Sequence, residues 1–285
     1  MSFQSELKAF EACHSFRTVE IGDCSFSYLL CGREDSEQTL VYLVGGTGNP
    51  LGWYQHVLAM ENRYRILLLN YPMGVDQLEP LIGRIGKLLK HLGISRAVWI
   101  GASFGGYIAQ LMARACPEQT EALVLYATTA LTEKGIGDLK AQYRYVGVLL
   151  WLIQHVPYNF LKAAALKPAM QKMIPKGDPE RTQYLKEFTQ WVYEGYTRET
   201  DLHMTRLMAD IVNLKPVTSE DYAFLRGKIL LILPEGDQAF TEEMQQDLIS
   251  LLCGAEVKTM PGGHLATLCS AGAFAEATDA FLRKL

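Results

Sequence analysis

Short apolar runs alternate along this 285-residue chain with amphipathic helical patterns. Because the runs are apolar on both faces, they suit strands that are buried in a parallel sheet between two helical layers. The helical patterns place leucine and isoleucine on one face, as in Gln77–His91 and Phe104–Cys116. This alternation predicts a doubly wound α/β sheet. The predicted strands are Leu40–Val44, Ile66–Asn70, Ala97–Ile100, Ala122–Tyr126, Ile229–Leu233 and Glu256–Met260.

Two interruptions of this alternation refine the prediction. Ahead of it, Arg17–Ile21 and Ser25–Cys31 flank a Gly-Asp turn signal, which predicts an antiparallel hairpin and brings the mostly parallel sheet to eight strands. After Ala130 the pattern is helical as far as about Tyr222, and this stretch is too long for a loop. We therefore expect a core of residues 1–130 and 223–285, with residues 131–222 inserted as a helical lid. An ordinary helical layer packed on the sheet is the alternative.

Charge and cysteine usage narrow the classes of function. The chain has 27 Lys or Arg against 31 Asp or Glu, a net charge of −4, so it lacks the basic footprint of a nucleic-acid-binding protein. Six scattered cysteines show no metal-ligand spacing and suit free thiols in a reducing, cytoplasmic setting.

Neither targeting nor membrane insertion is expected. The N-terminus lacks the basic start and apolar core of a signal peptide. The longest apolar run, Val146–Ile153, falls well short of the ~20 residues that a membrane-spanning helix needs. We therefore expect a cytoplasmic protein with no nucleic-acid partner and no integral membrane association.

The clearest chemical motif is Gly101-Ala102-Ser103-Phe104-Gly105, which lies between a predicted strand and a predicted helix. A nucleophile raised on so sharp a turn needs strained backbone angles and small neighbours, so glycines lie two positions to either side of Ser103. The helix that follows directs its N-terminal N–H groups towards the site. The strand–turn–helix setting predicts a nucleophilic Ser103, with a plain tight turn as the alternative.

A serine hydroxyl needs a base and an acid that orients the base. Among the six histidines only His264 follows the last predicted strand, which places it at the sheet edge from which Ser103 emerges. Asp237 follows the preceding strand, so the chain order is serine, acid, histidine. Glu235, two residues earlier, is the rival acid. We favour Asp237 because its Gly-Asp turn comes directly after the strand.

Backbone N–H groups for a developing oxyanion complete the predicted site. Phe104, directly after the nucleophile, supplies one, and the glycine-rich loop after Leu40–Val44 supplies a second from Gly46 or Thr47, of which we favour Gly46. The loop has neither a Gly-Lys-Ser/Thr nor a Gly-x-Gly-x-x-Gly pattern, so nucleotide binding is not expected. The predicted chemistry requires no metal and no organic cofactor.

With these residues in place, the chain resembles the α/β-hydrolase superfamily over nearly its whole length, which implies the α/β-hydrolase fold. It is most similar to the maspardin-like branch in Tyr71-Pro72-x-x-x-Asp76, in Gly101-Ala102-Ser103-x-Gly105-Gly106 and in Gly262-Gly263-x-x-x-x-Leu268-Cys269. That branch also implies an alternative, because maspardin lacks the histidine after the Gly-Gly pair and is regarded as a binding protein. This chain has His264 there, which favours catalysis.

We therefore predict a serine hydrolase of carboxylic esters or related acyl compounds with a substantial apolar part. The same three residues also suit hydrolysis of a carbon–carbon bond in a diketone, or a cofactor-free haloperoxidase side activity. A non-catalytic interaction protein with a vestigial site is the third class. The sequence does not identify the substrate, and it leaves a homodimer or a protein partner open.

Overall fold

The computed structural model describes residues 3–175 and 178–285, and its centre is an eight-stranded sheet in the order β1-β2-β4-β3-β5-β6-β7-β8. β1 pairs with β2 and β2 with β4 in antiparallel fashion, whereas all later neighbours are parallel. The strands are β1 (Arg17–Ile21), β2 (Cys24–Gly32), β3 (Thr39–Leu43), β4 (Arg65–Leu69), β5 (Ala97–Ala102), β6 (Thr120–Tyr126), β7 (Ile229–Glu235) and β8 (Glu256–Pro261).

Helices cover both faces of this sheet. Those outside the stretch between β6 and β7 are α1 (Phe3–Cys13), α2 (Tyr54–Met60), α3 (Leu78–His91), α4 (Phe104–Ala115), α11 (Glu242–Leu251), α12 (Ala266–Cys269) and α13 (Ala271–Leu282). Between β6 and β7 lie α5 (Glu133–Gln142), α6 (Val146–His155), α7 (Tyr158–Leu161), α8 (Lys167–Lys172), α9 (Pro179–Gly195) and α10 (Arg198–Asp210).

The sheet core follows from the apolar runs. Strand side chains alternate between faces, so Val41 and Leu43 of β3 pack in one layer with α3 and α4, and Leu40 and Tyr42 pack in the other with α2 and α13. Every residue of β3 is buried. Two buried layers explain why these strands are apolar on both faces, and they hold the carboxyl ends of β3, β5, β7 and β8 at one edge of the sheet.

The eight predicted strands are confirmed, and the Gly-Asp turn of the first hairpin has Gly22 at a φ of 67°. Several strands run further than predicted: β5 continues to Ala102, β7 to Glu235 and β8 to Pro261. The N-terminal helix α1 was not predicted, although Phe3, Leu7 and Phe10 recur at helical spacing and are buried.

In the stretch between β6 and β7, the described residues form helices without a strand. α10 packs against α6, and α9 packs against α1 and α12. Among the residues that the structure describes, no helix combines the length and apolar character needed to span a bilayer.

Candidate active site

Ser103 lies on the one-residue turn between β5 and α4, with φ 54° and ψ −124°. A side chain with a positive φ of this kind costs roughly 1–3 kcal/mol, so surrounding structure must hold it. A Cβ at Gly101 would lie 2.2 Å from the Gly105 carbonyl oxygen, and a Cβ at Gly105 would lie 2.3 Å from that of Leu43. The glycines of the motif therefore allow the backbones of β3, β5 and α4 to meet directly below the serine.

Asp237 follows the end of β7, and its side chain is almost completely buried. Its Oδ1 accepts hydrogen bonds from the backbone N–H groups of Ala239, at 2.7 Å, and Phe240, at 3.2 Å. These two donors satisfy the carboxylate and fix its orientation. The side chain of Glu235, in contrast, is exposed at the end of β7.

His264 follows β8 and turns its Nδ1 towards Asp237, 3.0 Å from Oδ1 and 3.2 Å from Oδ2. Its ring is buried, and its backbone N–H donates to Gln238 Oε1 at 3.1 Å. The turn before it depends on Gly262 and Gly263, which have φ values of 114° and 71°. A buried carboxylate at this distance stabilises the tautomer with a proton on Nδ1, leaving Nε2 as the basic nitrogen.

Tyr126, at the end of β6, connects the serine turn to the histidine turn. Its carbonyl oxygen accepts from the Ser103 N–H at 3.0 Å, and its hydroxyl donates to the Gly263 carbonyl at 2.6 Å. Burial raises the pKa of the Tyr126 phenol, so it remains a donor. Sequence reasoning missed this role because nothing in a strand-end tyrosine indicates its partner.

The structure thus joins His264 to Asp237 and places Ser103 at the same edge of the sheet. Within the described ranges, neither Ser103 Oγ nor His264 Nε2 has a hydrogen-bond partner in the protein. Catalytic hydrogen bonds are often long before substrate binds, so this geometry is compatible with a serine–histidine pair.

The loop after β3 runs alongside Ser103. A Cβ at Gly45 would lie 3.9 Å from that of Ser103, and the Gly45 carbonyl accepts from the Gly48 N–H at 3.0 Å. Gly46 and Thr47, the two candidate donors, lie between these residues, and Phe104 begins α4 on the other side of Ser103.

A family model decides what kind of protein carries this arrangement. The model of the alpha/beta hydrolase family matches residues 40–277. The chain belongs to this family. The α/β-hydrolase fold predicted from the sequence is confirmed, together with its eight-stranded, mostly parallel sheet.

Individual proteins that are similar to this chain match it over a short stretch or at low sequence identity. Maspardin of Rattus norvegicus is 37% identical over 75 residues, or 26% of this chain and 28% of maspardin, so the match spans little more than a quarter of that relative. A thermophilic esterase from Thermogutta terrifontis has a TM-score of 0.73 at 16% identity, covering 95% of this chain and 98% of its own. An enol-lactonase from Burkholderia xenovorans has a TM-score of 0.70 at 17% identity, covering 94% and 100%. These two structures share the fold.

Aromatic and methionine side chains lie near the candidate site. Phe240 lies 5.5 Å from the His264 ring, between ring centroids. From α10, Met208 Sδ is 3.2 Å from the Cβ position of Gly46, and Met204 Sδ is 2.9 Å from that of Gly48. The loop from Gly45 to Gly48 is therefore covered by flexible apolar side chains.

Cavities open elsewhere in the protein. Volumes of about 380 and 690 Å³ open beside α1, α8 and α9, and their linings include neither Ser103, Asp237 nor His264. Met204 and Met208 lie against the loop beside Ser103, at Gly48 and Gly46.

One cluster carries metal-ligand chemistry. Candidate ligand atoms of His14, Cys31 and Glu61 all lie within 4.8 Å of one another. His14 Nε2 is only 2.7 Å from Glu61 Oε2, which is a direct hydrogen-bonding distance that leaves no space for an ion between them. The contact is best described as a link between the end of α1 and the end of α2.

Proposed function

We propose that this chain is a serine hydrolase of carboxylic esters, or of related acyl compounds, with an apolar acyl or alcohol part. The buried His264–Asp237 pair, at the sheet edge where the strained Ser103 turn emerges, is the observation that carries the proposal. A serine turn alone has no base, and the histidine–carboxylate pair would supply one.

In the proposed reaction, Ser103 Oγ attacks the carbonyl carbon while its proton passes to His264 Nε2. Asp237 stabilises the imidazolium that forms. Phe104 N–H, with Gly46 or Thr47 N–H, donates to the tetrahedral oxyanion. Collapse breaks the carbon–oxygen bond, and His264 returns the proton to the leaving alcohol. A water molecule, deprotonated by His264, then releases the acid and restores Ser103.

The apolar preference rests on what covers the loop. Met204 and Met208 can repack around chains of different shape, and Phe240 adds an aromatic surface beside His264. The helices of residues 131–222 would then act as the lid of the site, because α10 carries both methionines.

A second candidate function is a binding protein without catalysis. Two observations favour it: the similarity to maspardin, and the absence of a hydrogen bond from Ser103 Oγ to His264 in the described part of the chain. A carbon–carbon hydrolase would use the same three residues.

Labelling with a fluorophosphonate separates enzyme from binding protein, because the probe reacts only with a serine that a base activates near an oxyanion hole. We expect stoichiometric labelling at Ser103, measured by intact-protein and peptide mass spectrometry. Labelling should be lost in Ser103→Ala and strongly reduced in His264→Ala. Ser270→Ala and His91→Ala are the matched controls and should label like the parent.

Circular dichroism of each variant shows whether it is folded. A folded parent that resists the probe and hydrolyses no p-nitrophenyl ester from acetyl to octanoyl would establish the binding-protein alternative instead. Turnover of a vinylogous diketone without turnover of any ester would favour carbon–carbon cleavage.

A further inference from the structure

Large apolar side chains are concentrated on the outer face of α6 and the start of α7. Of the ten large hydrophobic side chains that are exposed in the described part of the chain, five lie between residues 145 and 160. We call these five side chains the α6 face. They are Tyr145 (66% exposed), Val148 (58%), Leu149 (41%), Trp151 (56%) and Phe160 (69%).

α6 has one side against the protein and one side in solvent. Ile153 is buried, and the helix packs on α10. Val148, Trp151 and His155 follow one another at spacings of three and four, so they share the opposite side. The Trp151 ring stacks on the His155 ring with centroids 4.8 Å apart. An aromatic, apolar surface of this kind on a monomeric protein marks an interaction site.

The charge of this region differs from that of the whole molecule. From Leu139 to Pro175 the sequence has five Lys or Arg and no Asp or Glu, whereas the complete chain has 27 against 31. Lys162 is buried and donates to the carbonyl of Tyr196, so its role is internal. Lys140, Arg144, Lys167 and Lys172 are exposed.

Cations also border α6 directly. The Arg144 guanidinium lies 4.7 Å above the Tyr145 ring, and Arg198 donates to the Val156 carbonyl just beyond the end of α6. The nearby carboxylate of Asp201 accepts a hydrogen bond from the Tyr158 hydroxyl, so it is already paired inside the protein.

We infer that the α6 face docks on an anionic membrane surface. Trp, Tyr and Leu side chains on one side of a short helix, with Lys and Arg around them, are the features of a segment that lies in the interfacial plane. α6 has ten residues, so it lies along the surface and does not cross it. Anionic lipid attracts the surrounding cations, so this attraction is lost where the membrane contains no anionic lipid.

A second copy of the chain fits this face less well. Symmetric pairing of two α6 faces would bring the exposed cations of both copies together, with no acidic residue in the same segment to oppose them. A phosphatidylserine surface offers both the apolar depth and the opposite charge.

Docking would also orient the candidate active site. α6 packs on α10, and α10 places Met204 and Met208 on the loop beside Ser103. If the proposed function holds, docking would place α10, and with it the loop beside Ser103, near the membrane. The docking itself requires no catalysis, so it is tested in Ser103→Ala.

Co-sedimentation with sucrose-loaded vesicles tests the inference. We expect the Ser103→Ala protein to sediment with phosphatidylcholine vesicles that contain phosphatidylserine, and to stay in the supernatant with phosphatidylcholine alone or at high salt. Trp151→Ser should weaken the binding at least tenfold, and the Lys140→Glu/Arg144→Glu double variant should weaken it by roughly tenfold or more. Phe224→Ser, also at a partly exposed aromatic residue, and Lys215→Glu are the matched controls and should bind like the parent.

Tryptophan fluorescence gives a second readout. Trp53 and Trp99 are buried and Trp191 is partly buried, so a blue shift on adding anionic vesicles reports Trp151. Trp151→Phe should remove the shift and retain binding. Absence of sedimentation with anionic vesicles overturns the inference, as does binding that Trp151→Ser leaves unchanged. Sedimentation velocity that shows a dimer without lipid, lost in Trp151→Ser, would assign the face to a second copy.

Discussion

The carboxylate of Asp237 makes contacts that the side chain of Glu235, the neighbouring acid, does not make. Two backbone N–H groups and the His264 ring surround it, and its side chain is almost entirely out of solvent. A carboxylate held in this way orients the imidazole without needing to move. The exposed Glu235 contributes instead through its backbone carbonyl, which accepts from the Gly263 N–H at 3.0 Å.

Substitution of these two acids should therefore give very different results. Asp237→Asn should lower the kcat of ester hydrolysis by roughly 10³–10⁴-fold, because the amide can donate to Nδ1 and stabilise the wrong tautomer. Glu235→Gln should change kcat by less than about threefold, since only its side chain changes. Steady-state kinetics on a p-nitrophenyl ester measure both.

Equal melting temperatures of the two variants and the parent serve as the control for folding. A larger loss of turnover in Glu235→Gln than in Asp237→Asn would show that the acid has been misassigned.

For individual residues, the sequence predicts the turn at Ser103 but not which backbone N–H of the neighbouring loop is the donor, and the reason is physical. The glycines around Ser103 are required by contacts with neighbouring backbone, so the motif identifies the turn. The loop from Gly45 to Gly48 contains three glycines, which permit several directions for each N–H, so neither Gly46 nor Thr47 is singled out as donor. The hydrogen bonds of Tyr126 join the turns at Ser103 and Gly263, which are distant from each other in the sequence, so the sequence does not indicate them.

Among the helices, α10 has the most direct effect on the candidate site. It is attached to the core by Asp76, whose carboxylate is 2.9 Å from His203 Nδ1 and 2.9 Å from Arg206 Nη1, and by Asp210, which accepts from the Leu78 N–H at 2.8 Å. These contacts hold Met204 and Met208 over the loop beside Ser103. The width of the proposed acyl site should therefore depend on the methionines more than on movement of the whole helix.

We expect kcat/KM to increase from acetyl to octanoyl esters, by up to about 0.8 kcal/mol for each methylene that becomes buried. Met208→Ala should reduce the ratio of octanoyl to acetyl kcat/KM by roughly tenfold, because it removes about 1.5 kcal/mol of apolar contact. A series of p-nitrophenyl esters measured on both proteins gives the ratio.

Met73→Ala is the matched control, since Met73 is 55% exposed and its loss should leave the ratio unchanged. If kcat/KM falls steadily from acetyl upward in the parent, the substrate is small and polar and the apolar assignment is wrong.

The strands could be predicted from the sequence more completely than the packing of the helices. Buried strands are apolar on both faces and bounded by turns, and the mostly exposed β1 was predicted from the Gly-Asp turn of its hairpin, so all eight were identified. The packing of the helices between β6 and β7 could not be predicted, because a helical pattern shows which face is apolar and not which neighbour covers it. The attachment of α10 through Asp76 depends on residues more than a hundred positions apart.

For the molecule as a whole, His56 makes stability sensitive to acid. It is fully buried among the rings of Tyr42, Trp53 and Phe274, and neither ring nitrogen has a partner among the described residues. Burial lowers the pKa of His56 to about 3. In the unfolded chain the histidine pKa is about 6.5. Between about pH 3 and 6.5 the unfolded chain therefore binds a proton at His56 that the folded chain does not bind.

The free energy of unfolding should consequently decrease as pH falls below about 6.5, and His56 should contribute about 1.4 kcal/mol per pH unit to that slope. His56→Leu should remove this contribution, so that urea unfolding between about pH 4 and 6 shows a shallower dependence than in the parent. The exposed His91→Leu is the control and should retain the parent slope. An unchanged slope in His56→Leu would mean that the folded protein accepts the proton at His56.

The position of the helices between β6 and β7 also affects how the chain is made. About 100 residues separate Tyr126 from Ile229, which at ~5–20 residues per second is a delay of about 5–20 s during synthesis. Throughout that interval β6 is an open sheet edge, able to pair with another nascent chain. Ser103 and its turn are translated long before Asp237 and His264. Folding of this protein in the cell therefore depends on keeping one edge strand unpaired until the last fifth of the chain emerges.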